Sequence, residues 1–508
     1  WLDAGSFRQG LLSWQTNPGG QALPESTSGL VARVRRLLFG ATRPEPGRKS
    51  IAVLPLKNLS RDEDTEVFAD GITEDIIAHL SRIRDLKVIS RTSIMRYKLV
   101  DRPLKQIGQE LGVASLLEGS VRRSGDRLRI VSQLFDAESE ECRWAETFDR
   151  DLTDIFAVQS EVAQRIANSL EATISPAELS MIQRRPTDNV EAHKLYLRGR
   201  YLWNRRTGDG LERAASAFTR AIALDPEYAP AHAGLADTRL LLGAYGYMPE
   251  LKAVAEAKTS IEASLDKDER LAEAHASLGQ VYRTERNWAA EEESYRRAIE
   301  LNPNYATAHQ WYSTLLAALG RHEEAAREIE IAQDLDPLSS AIGVTAGSLL
   351  CLKRDYEGAI EQLHRTLELD PDYFSPHAWL INAYGALGQK EGAMQAYEKV
   401  AEIRGDLRHS RLFLAIVHAF LGEAEEALPL VQTLEEVGGD PVSIGIVYAQ
   451  LGDADRAFQI LNSALEDDSW CMFLLLRNLL FYVKSGFWFD PIRDDPRFEG
   501  LLRRMNLA

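Results

Sequence analysis

The spacing of apolar residues changes along the chain, and the change separates two kinds of structure. From residue 50, the apolar runs IAVLPL and LKVIS alternate with amphipathic segments at 66–83 and 103–111. Short apolar runs between segments whose apolar residues lie three and four apart are typical of strands alternating with helices. The pattern predicts an α/β arrangement at the start of this region.

The segment that follows has a period of two. SLLEGSVRR and RLRIVSQLF alternate apolar and polar residues, and a Ser-Gly-Asp sequence at 124–126 separates them. Such residues suit a tight hairpin turn. A third strand at 143–148 and an amphipathic helix at 154–173 are predicted next. Together these elements predict a small mixed α/β domain over residues 49–176.

A repeat dominates the chain after Pro186. Pro303, Pro337 and Pro371 recur at a spacing of 34 residues, each follows Asn or Asp, and each ends an amphipathic helix. Proline cannot continue a helix because it lacks the N–H and clashes with the preceding turn. One proline in each 34-residue period therefore indicates one helix-turn-helix unit per repeat.

Other positions of the period keep the same register when counted from residues 272, 306, 340 and 374. Small residues recur at position 8 (Gly279, Gly347), position 20 (Ala325, Ala359, Ala393) and position 27 (Ala298, Ala332). Large residues recur at position 11 (Tyr282, Leu350, Tyr384) and position 24 (Tyr295, Ile329, Leu363, Tyr397). The small residues let two antiparallel helices approach closely, and the large ones fill the space between them.

This arrangement resembles the tetratricopeptide repeat (TPR). The resemblance implies an all-α superhelical solenoid at 187–470, with a helical cap at 471–508 covering its apolar end. The predicted fold is thus α+β overall, a small mixed α/β domain followed by the solenoid. The sequence departs from the motif where Glu291 stands at a small position, where Gly405 replaces proline, and where GAYGYMPELK is inserted.

The first domain also resembles a known family. IAVLPLKNLS, FADGITEDIIAHLSRI, VISRTS, the LLEGSVRRSGDRLRIVSQLFDA hairpin and DIFAVQSEVAQRIANSL are similar to the TolB-type amino-terminal domain. In many bacterial signalling proteins that domain stands just ahead of TPR repeats. The resemblance implies an output module upstream, such as a serine/threonine kinase, a class III cyclase or a winged-helix DNA-binding domain.

The first 48 residues are heterogeneous. WLDAGSFRQGLL is similar to the last helix of a bacterial Ser/Thr kinase domain, and a Gly/Pro-rich stretch and a basic helix follow it. Gly and Pro clusters interrupt regular structure. Because the chain starts with Trp1 rather than Met, we interpret residues 1–48 as a linker and the end of a missing upstream module.

Charge and composition narrow the partners and the location. A formal net charge of −17 without a basic stripe argues against nucleic acid, because phosphate backbones repel such a protein. No apolar run approaches 18 residues, so no membrane segment is predicted. The three cysteines, Cys142, Cys351 and Cys471, lie far apart, which indicates neither a disulfide framework nor a zinc site. A reducing, cytoplasmic location is expected.

Catalytic and metal-binding patterns are not found in the sequence. Four histidines recur at position 4 of the repeats, His232, His275, His309 and His377, and we interpret them as part of the repeat architecture rather than metal ligands. The phosphate-binding, GxSxG, HExxH and kinase motifs do not occur. We therefore predict no catalytic residue, no metal, no cofactor and no enzymatic activity for this chain.

A protein-binding surface is the remaining prediction. The first helix of each repeat would line an inner groove, and six polar residues on it are candidates for binding a protein or peptide partner: Gln280, Arg283, Gln310, Thr314, Ser348 and Asn382. Replacing Asn382 or Arg283 is expected to weaken binding more than it lowers the melting temperature. Alternatively, the chain's own tail or a neighbouring subunit fills the groove.

Two functions fit these observations. The first is a non-catalytic TPR scaffold or sensor in bacterial signalling. The second is the regulatory C-terminal portion of a larger signalling enzyme, with a Ser/Thr protein kinase favoured over an adenylate cyclase or a winged-helix regulator. The partner, the ligand of the first domain and the oligomeric state stay open at this point.

Overall fold

The computed structural model describes residues 49–507 apart from 61–62, 99, 101, 125–126, 152–154, 205–206, 406 and 467–480. The predicted linker at 1–48 lies outside the described residues. Most of the described chain is helical, and a small sheet lies near its start. This confirms the expected combination of a sheet region with helical repeats.

The sheet contains six strands. They are β1 (Lys49–Val53), β2 (Lys57–Asn58), β3 (Leu86–Val88), β4 (Ser115–Ser124), β5 (Arg127–Asp136) and β6 (Cys142–Asp151). Their order is β3-β1-β4-β5-β6, with β2 pairing to β4 beyond the end of β1. β1 runs parallel to β3 and β4, whereas β4, β5 and β6 form an antiparallel meander.

The hydrophobic pattern explains both halves of the sheet. Ile51, Ala52 and Val53 in β1 are all fully buried, as expected for a parallel strand covered on both faces. Along β5, buried and exposed residues alternate because successive side chains point to opposite faces. Ser124 pairs with Arg127, so the hairpin predicted around 124–126 is present.

Among the residues described in this region, five α-helices accompany the sheet. They are α1 (Glu63–Ser81), α2 (Arg91–Ile94), α3 (Leu104–Leu111), α4 (Ile155–Ser169) and α5 (Pro176–Gln183). α1 and α4 pack against each other and bury an apolar core with the sheet. Ser175 begins α5 with a capping box, in which its hydroxyl accepts from the Glu178 backbone and the Glu178 carboxylate accepts in return. We call residues 49–183 the α/β region.

Eight helix pairs follow in the described residues. They are α6 (Val190–Trp203) with α7 (Gly208–Leu224), α8 (Ala229–Ala244) with α9 (Glu250–Lys267), α10 (Ala272–Thr284) with α11 (Trp288–Leu301), α12 (Ala306–Ala318) with α13 (His322–Leu335), α14 (Ser340–Leu352) with α15 (Tyr356–Leu369), α16 (Phe374–Ala386) with α17 (Lys390–Arg404), α18 (Leu407–Phe420) with α19 (Ala424–Glu436), and α20 (Pro441–Gln450) with α21 (Ala454–Glu466). A last helix, α22, spans Pro496–Arg504.

The small residues at position 8 allow the two helices of a pair to approach closely. A Cβ atom added at Gly279 would clash with the ring of Tyr295, and one added at Gly347 would lie 2.7 Å from the side chain of Leu363. Tyr295 and Leu363 occupy position 24 and are fully buried. The large residue at position 24 thus fills the space beside the small residue at position 8, as expected from the close approach predicted for the two helices.

The α/β region is fixed to the edge of the repeats through the turns that join one pair to the next. In the turn before α12, the Asn304 amide donates to the carbonyls of Ser81 and Leu86 at 2.9 and 3.0 Å and accepts from the N–H of Val88 at 3.2 Å. Asn304 therefore pairs with two backbone groups at the outer edge of β3 and with one at the end of α1.

The next two turns continue this contact. Before α14, Asp336 accepts from the backbone N–H of Ser93 at 3.0 Å. The guanidinium of Arg96 donates to the carbonyl of Leu369, just before the turn into α16, at 2.9 Å and to the hydroxyl of Ser340, at the start of α14, at 3.1 Å. Three successive repeats are thus held in register by one segment of the α/β region.

Candidate functional site

The first helices of successive pairs form a continuous surface. α10, α12, α14, α16 and α18 each pack against the first helix of the next pair, so their outward side chains lie along one face of the solenoid. We call the face formed by α10, α12, α14, α16, α18 and α20 the inner face. Side chains three or four residues apart share one side of a helix. Gln280 and Arg283 on α10, and Gln310 and Thr314 on α12, have this spacing, so each pair lies on one side of its helix.

Three of the six predicted groove residues are bonded within the repeats. Gln280 is buried and donates from Nε2 to the Tyr295 hydroxyl at 2.6 Å. Ser348 is buried and donates to the carbonyl of Thr345 at 2.7 Å. Gln310 is half-buried and donates to the Thr345 hydroxyl at 2.9 Å. Gln310 keeps more exposure than Gln280 and Ser348.

The other three groove residues contact the end of the chain itself. Residues 481–507, which we call the C-terminal segment, lie against the inner face. The Arg283 guanidinium stands 4.5 Å from the centre of the Phe481 ring, Thr314 hydrogen bonds to the Tyr482 hydroxyl, and Asn382 contacts Trp488. The structure thus shows an occupant on part of the predicted groove, and that occupant is the chain's own tail.

Trp488 is the largest fully buried side chain of the C-terminal segment. Its side chain is fully buried, and its indole Nε1 donates to Oδ1 of Asn382 at 2.7 Å. Its carbonyl accepts from Nε2 of Gln450 at 2.7 Å, and the Trp379 ring centre lies 5.5 Å away. Buried indole N–H groups usually require a partner, and Asn382 supplies it. We call this enclosure the tryptophan pocket.

Two arginines in the turns inside helix pairs bind the backbone of the segment. Position 15 of the repeat lies in the turn between the two helices of a pair, and its backbone has a left-handed φ. Glycine stands there in two repeats, as Gly320 and Gly388, whereas Arg286 and Arg354 adopt φ of 57° and 65° in two others. Arg354 donates to the carbonyl of Ser485 at 2.7 Å, and Arg286 donates to that of Arg504 at 3.3 Å. Sequence reasoning missed both arginines. Their presence at a position that favours glycine was the available signal.

A charged pair lies beneath Phe481. Nε of Arg283 is 2.7 Å from Oε1 of Glu291, and Glu291 has no exposed surface. Burial raises the pKa of Glu291 to about 7, against the attraction of Arg283. Burial alone would lower the pKa of Arg283, but the neighbouring carboxyl raises it overall. Glu291, which stands where the motif has a small residue at position 20, is therefore paired with the basic residue Arg283 on the facing helix.

The recurring histidines have a structural explanation. Nε2 of each pairs with the carbonyl six residues earlier: His232 with Pro226 at 3.0 Å, His275 with Glu269 at 2.8 Å, His309 with Pro303 at 3.2 Å and His377 with Pro371 at 3.3 Å. Each bond fastens the turn that leads into the repeat. Within the described residues, no three His, Cys, Asp or Glu side chains converge in a way that could hold a metal ion.

The FADGITEDI segment of the α/β region lies inside α1. Asp70 pairs with Lys98 at 2.6 Å, and a Cβ added at Gly71 would come within 2.6 Å of Leu197 in α6. Glu74 accepts from Arg200 of α6 at 2.8 Å. Asp70 and Gly71 resemble the residues of a helix cap or entry turn, but both lie in the interior of the helix. Gly71 instead allows the first repeat helix to pack closely on α1.

Membrane crossing has no candidate in the described part of the chain. No helix there is both long enough and apolar enough to span a bilayer.

The helix pairs, their turns and their position-specific packing define a class of protein. A family model described as the tetratricopeptide repeat matches residues 254–306 and 292–340, and a second with the same description matches 382–407. The chain therefore contains tetratricopeptide repeats, which form protein-interaction surfaces.

Individual proteins resemble parts of the chain. A protein of Rhizobium meliloti (strain 1021) named putative adenylate cyclase 3 is 41% identical over 190 residues, which are 37% of this chain and 32% of that protein. The match thus spans about a third of the curated relative.

Solved structures also resemble part of the chain. PilF of Pseudomonas aeruginosa overlaps 40% of this chain and 91% of its own, with 22% identity and a TM-score of 0.32. A tetratricopeptide repeat protein from Parabacteroides merdae overlaps 53% of this chain and 98% of its own, with 12% identity and a TM-score of 0.37.

Proposed function

We propose that this chain is the sensing and protein-binding portion of a bacterial signalling protein. The repeats bind a protein or peptide partner on the inner face, and the α/β region, which we propose to be of the TolB type, is rigidly attached to the edge of the same repeats. The observation that carries the proposal is the long inner face of stacked first helices, because solenoids bind their partners on such extended surfaces.

The second candidate is a regulatory portion of a larger signalling enzyme, and the relative favours a nucleotide cyclase over a kinase. The 41% identity over 190 residues is to a protein named as an adenylate cyclase, whereas kinases were favoured from the sequence. In this form of the proposal, a partner on the repeats changes the output of a catalytic domain. The location we propose is the cytoplasm, where the nucleotide substrate of a cyclase is found.

The test is affinity capture from lysate of the source cells with the full chain and two variants. Gln310→Ala alters a half-buried residue of the inner face, and Glu330→Ala alters an exposed residue of α13 as a control. We expect a partner that the wild type and Glu330→Ala recover and that Gln310→Ala recovers less well. Equal recovery by all three would place the binding surface elsewhere.

A second readout separates the two candidates. Cyclic AMP formation is measured in the source cells with the gene intact and with the Gln310→Ala codon introduced. A change in cyclic AMP supports the regulatory role toward a cyclase. An unchanged level, together with a lost partner, supports the scaffold.

A further inference from the structure

We infer that the tryptophan pocket and the adjoining turns are a recognition site for an aromatic, carboxylate-bearing peptide segment, and that the C-terminal segment occupies this site as an intramolecular ligand. This inference rests on the proposed function, in which the inner face is the recognition surface. A partner that carries the same chemistry would bind by displacing the C-terminal segment.

The first argument is that the pocket binds polar groups as well as apolar surface. Burial of apolar area by itself does not select one side chain in one orientation, whereas directional bonds do. Here Asn382 accepts from the indole of Trp488, and Gln450 donates to the carbonyl of the same residue. One side-chain bond and one main-chain bond to a single anchor residue are how a groove recognises a peptide.

The second argument is that the turns carry residues unfavourable for folding but useful for binding. A non-glycine residue with positive φ costs roughly 1 kcal/mol or more. Arg286 and Arg354 adopt it at a position where Gly320 and Gly388 stand in neighbouring repeats. Both arginines donate to carbonyls of the C-terminal segment. Strain that persists where it aims a donor at a ligand is typical of a binding site.

The third argument is the carboxylate. Nη2 of Arg354 lies 2.8 and 3.0 Å from the two oxygens of Asp490, two residues after Trp488. The three aromatic residues directly before Asp490, which are Phe487, Trp488 and Phe489, are buried. The site therefore reads an aromatic run followed by an acidic residue, and this gives the chemistry of the competing partner.

The fourth argument is the extent of the contact. The segment reaches from Gln450 in the last pair back to Trp288 in α11, whose indole donates to the carbonyl of Met505 at 2.8 Å. A cap on the last repeat would not need to reach a helix five pairs earlier. The segment folds back on itself, because the Phe481 ring also packs on Trp288 at 5.5 Å and α22 lies between Trp488 and Met505 in the chain. It therefore contacts the third and the last helix pairs together.

The test uses the full chain and a fluorescent synthetic peptide of residues 484–496. Trp488→Ala empties the pocket, Trp488→Ala combined with Asn382→Leu removes its hydrogen-bond acceptor, and Asp494→Ala changes an exposed residue of the segment as a control. In the wild type the peptide competes with the C-terminal segment, which is favoured by its tryptophan anchor and by its tethering to the chain. Trp488→Ala removes the anchor, so this variant should bind the peptide at least about 10-fold more tightly than the wild type does. The control should match the wild type, and the double variant should lose the gain.

Equal peptide affinity in the wild type and Trp488→Ala would overturn the inference. Hydrogen exchange on the unmodified chain keeps it testable if the variants fold poorly. We expect amides of 481–507 to exchange faster than those of α16, and faster again with excess peptide. Exchange at the rate of α16 with no response to peptide would show a permanent cap.

Light scattering that finds a dimer in the wild type and a monomer in Trp488→Ala would assign the segment to a neighbouring copy and overturn the intramolecular assignment. The binding and hydrogen-exchange measurements use only this chain and the synthetic peptide, so they report on the pocket even if no partner is captured. Failure of the proposed function is therefore distinguishable from failure of this inference.

Discussion

The guanidinium of Arg283 lies 2.7 Å from the carboxyl of Glu291, and both side chains are buried between α10 and α11. A buried pair of this kind stabilises the fold only while both partners are present, because removal of one leaves a buried charge without compensation. Arg283 also stacks on Phe481 of the C-terminal segment. The pair therefore links the repeat core to the occupied inner face.

The first prediction concerns pH and Glu291. Burial raises the pKa of this carboxyl from 4.5 to about 7. Between these values the folded chain keeps a proton that the unfolded chain has released, so the stabilisation from this site is largest below pH 4.5 and is lost as the pH rises to 7. The slope is at most about 1.4 kcal/mol per pH unit.

Urea unfolding of the wild type and of Glu291→Gln from pH 5 to pH 8 checks this. The glutamine cannot titrate, so the wild type should lose stability relative to Glu291→Gln as the pH rises and level off above 7. A constant difference across the range would mean that Glu291 is ionised throughout.

The second prediction separates strain from binding at Arg354. Both Arg354→Gly and Arg354→Ala remove the bonds to Ser485 and Asp490, but only glycine relieves the positive φ of 65°. The glycine variant should be more stable than the alanine variant by about 1 kcal/mol in thermal or urea unfolding. Both should speed hydrogen exchange in 481–507. Equal stability of the two would show that this turn is unstrained.

The third prediction concerns the close approach at position 8. Gly279→Ala inserts a methyl group against the fully buried ring of Tyr295 and should destabilise the chain by about 1–3 kcal/mol, despite the better helix propensity of alanine. Gly500→Ala in α22 is the matched control, because its added Cβ meets no atom within 4 Å. It should be neutral or stabilise by up to about 1 kcal/mol. A similar effect of both on the urea midpoint would contradict this account.

The fourth prediction concerns the attachment of the α/β region. Asn304→Ala leaves buried groups of Ser81, Leu86 and Val88 unpaired, at a cost of about 1–3 kcal/mol for each group that water cannot reach. Amide exchange in β3 should rise. Asp372→Ala, at an exposed site in a turn between repeats, should change neither the stability of the chain nor the amide exchange of β3. Unchanged protection of β3 in Asn304→Ala would show that other contacts fix the region.

The predictions made for Arg283 and Asn382 from the sequence illustrate the limit of motif counting. Both positions were placed correctly on first helices, but they were expected to be replaceable at little cost to the melting temperature. The structure buries both and bonds them to Glu291 and Trp488. It therefore predicts a measurable loss of stability for either substitution.

The sequence by itself determined the repeat. Its 34-residue period, the helix-ending prolines and the recurring small and large positions are signals within one repeat, and the chain shows them directly as a periodic pattern. The β4–β5 hairpin was equally local. The histidines at position 4 were recognised as architectural, although the bond each makes to a carbonyl six residues earlier was not foreseen.

Only the tertiary structure decided how the parts meet. Asn304 and β3 lie more than two hundred residues apart, as do Trp288 and Met505, and no periodic pattern encodes such a contact. Pairing across that distance depends on the curvature that accumulates over many repeats. That curvature brings the α/β region to one edge of the solenoid and the C-terminal segment onto its inner face.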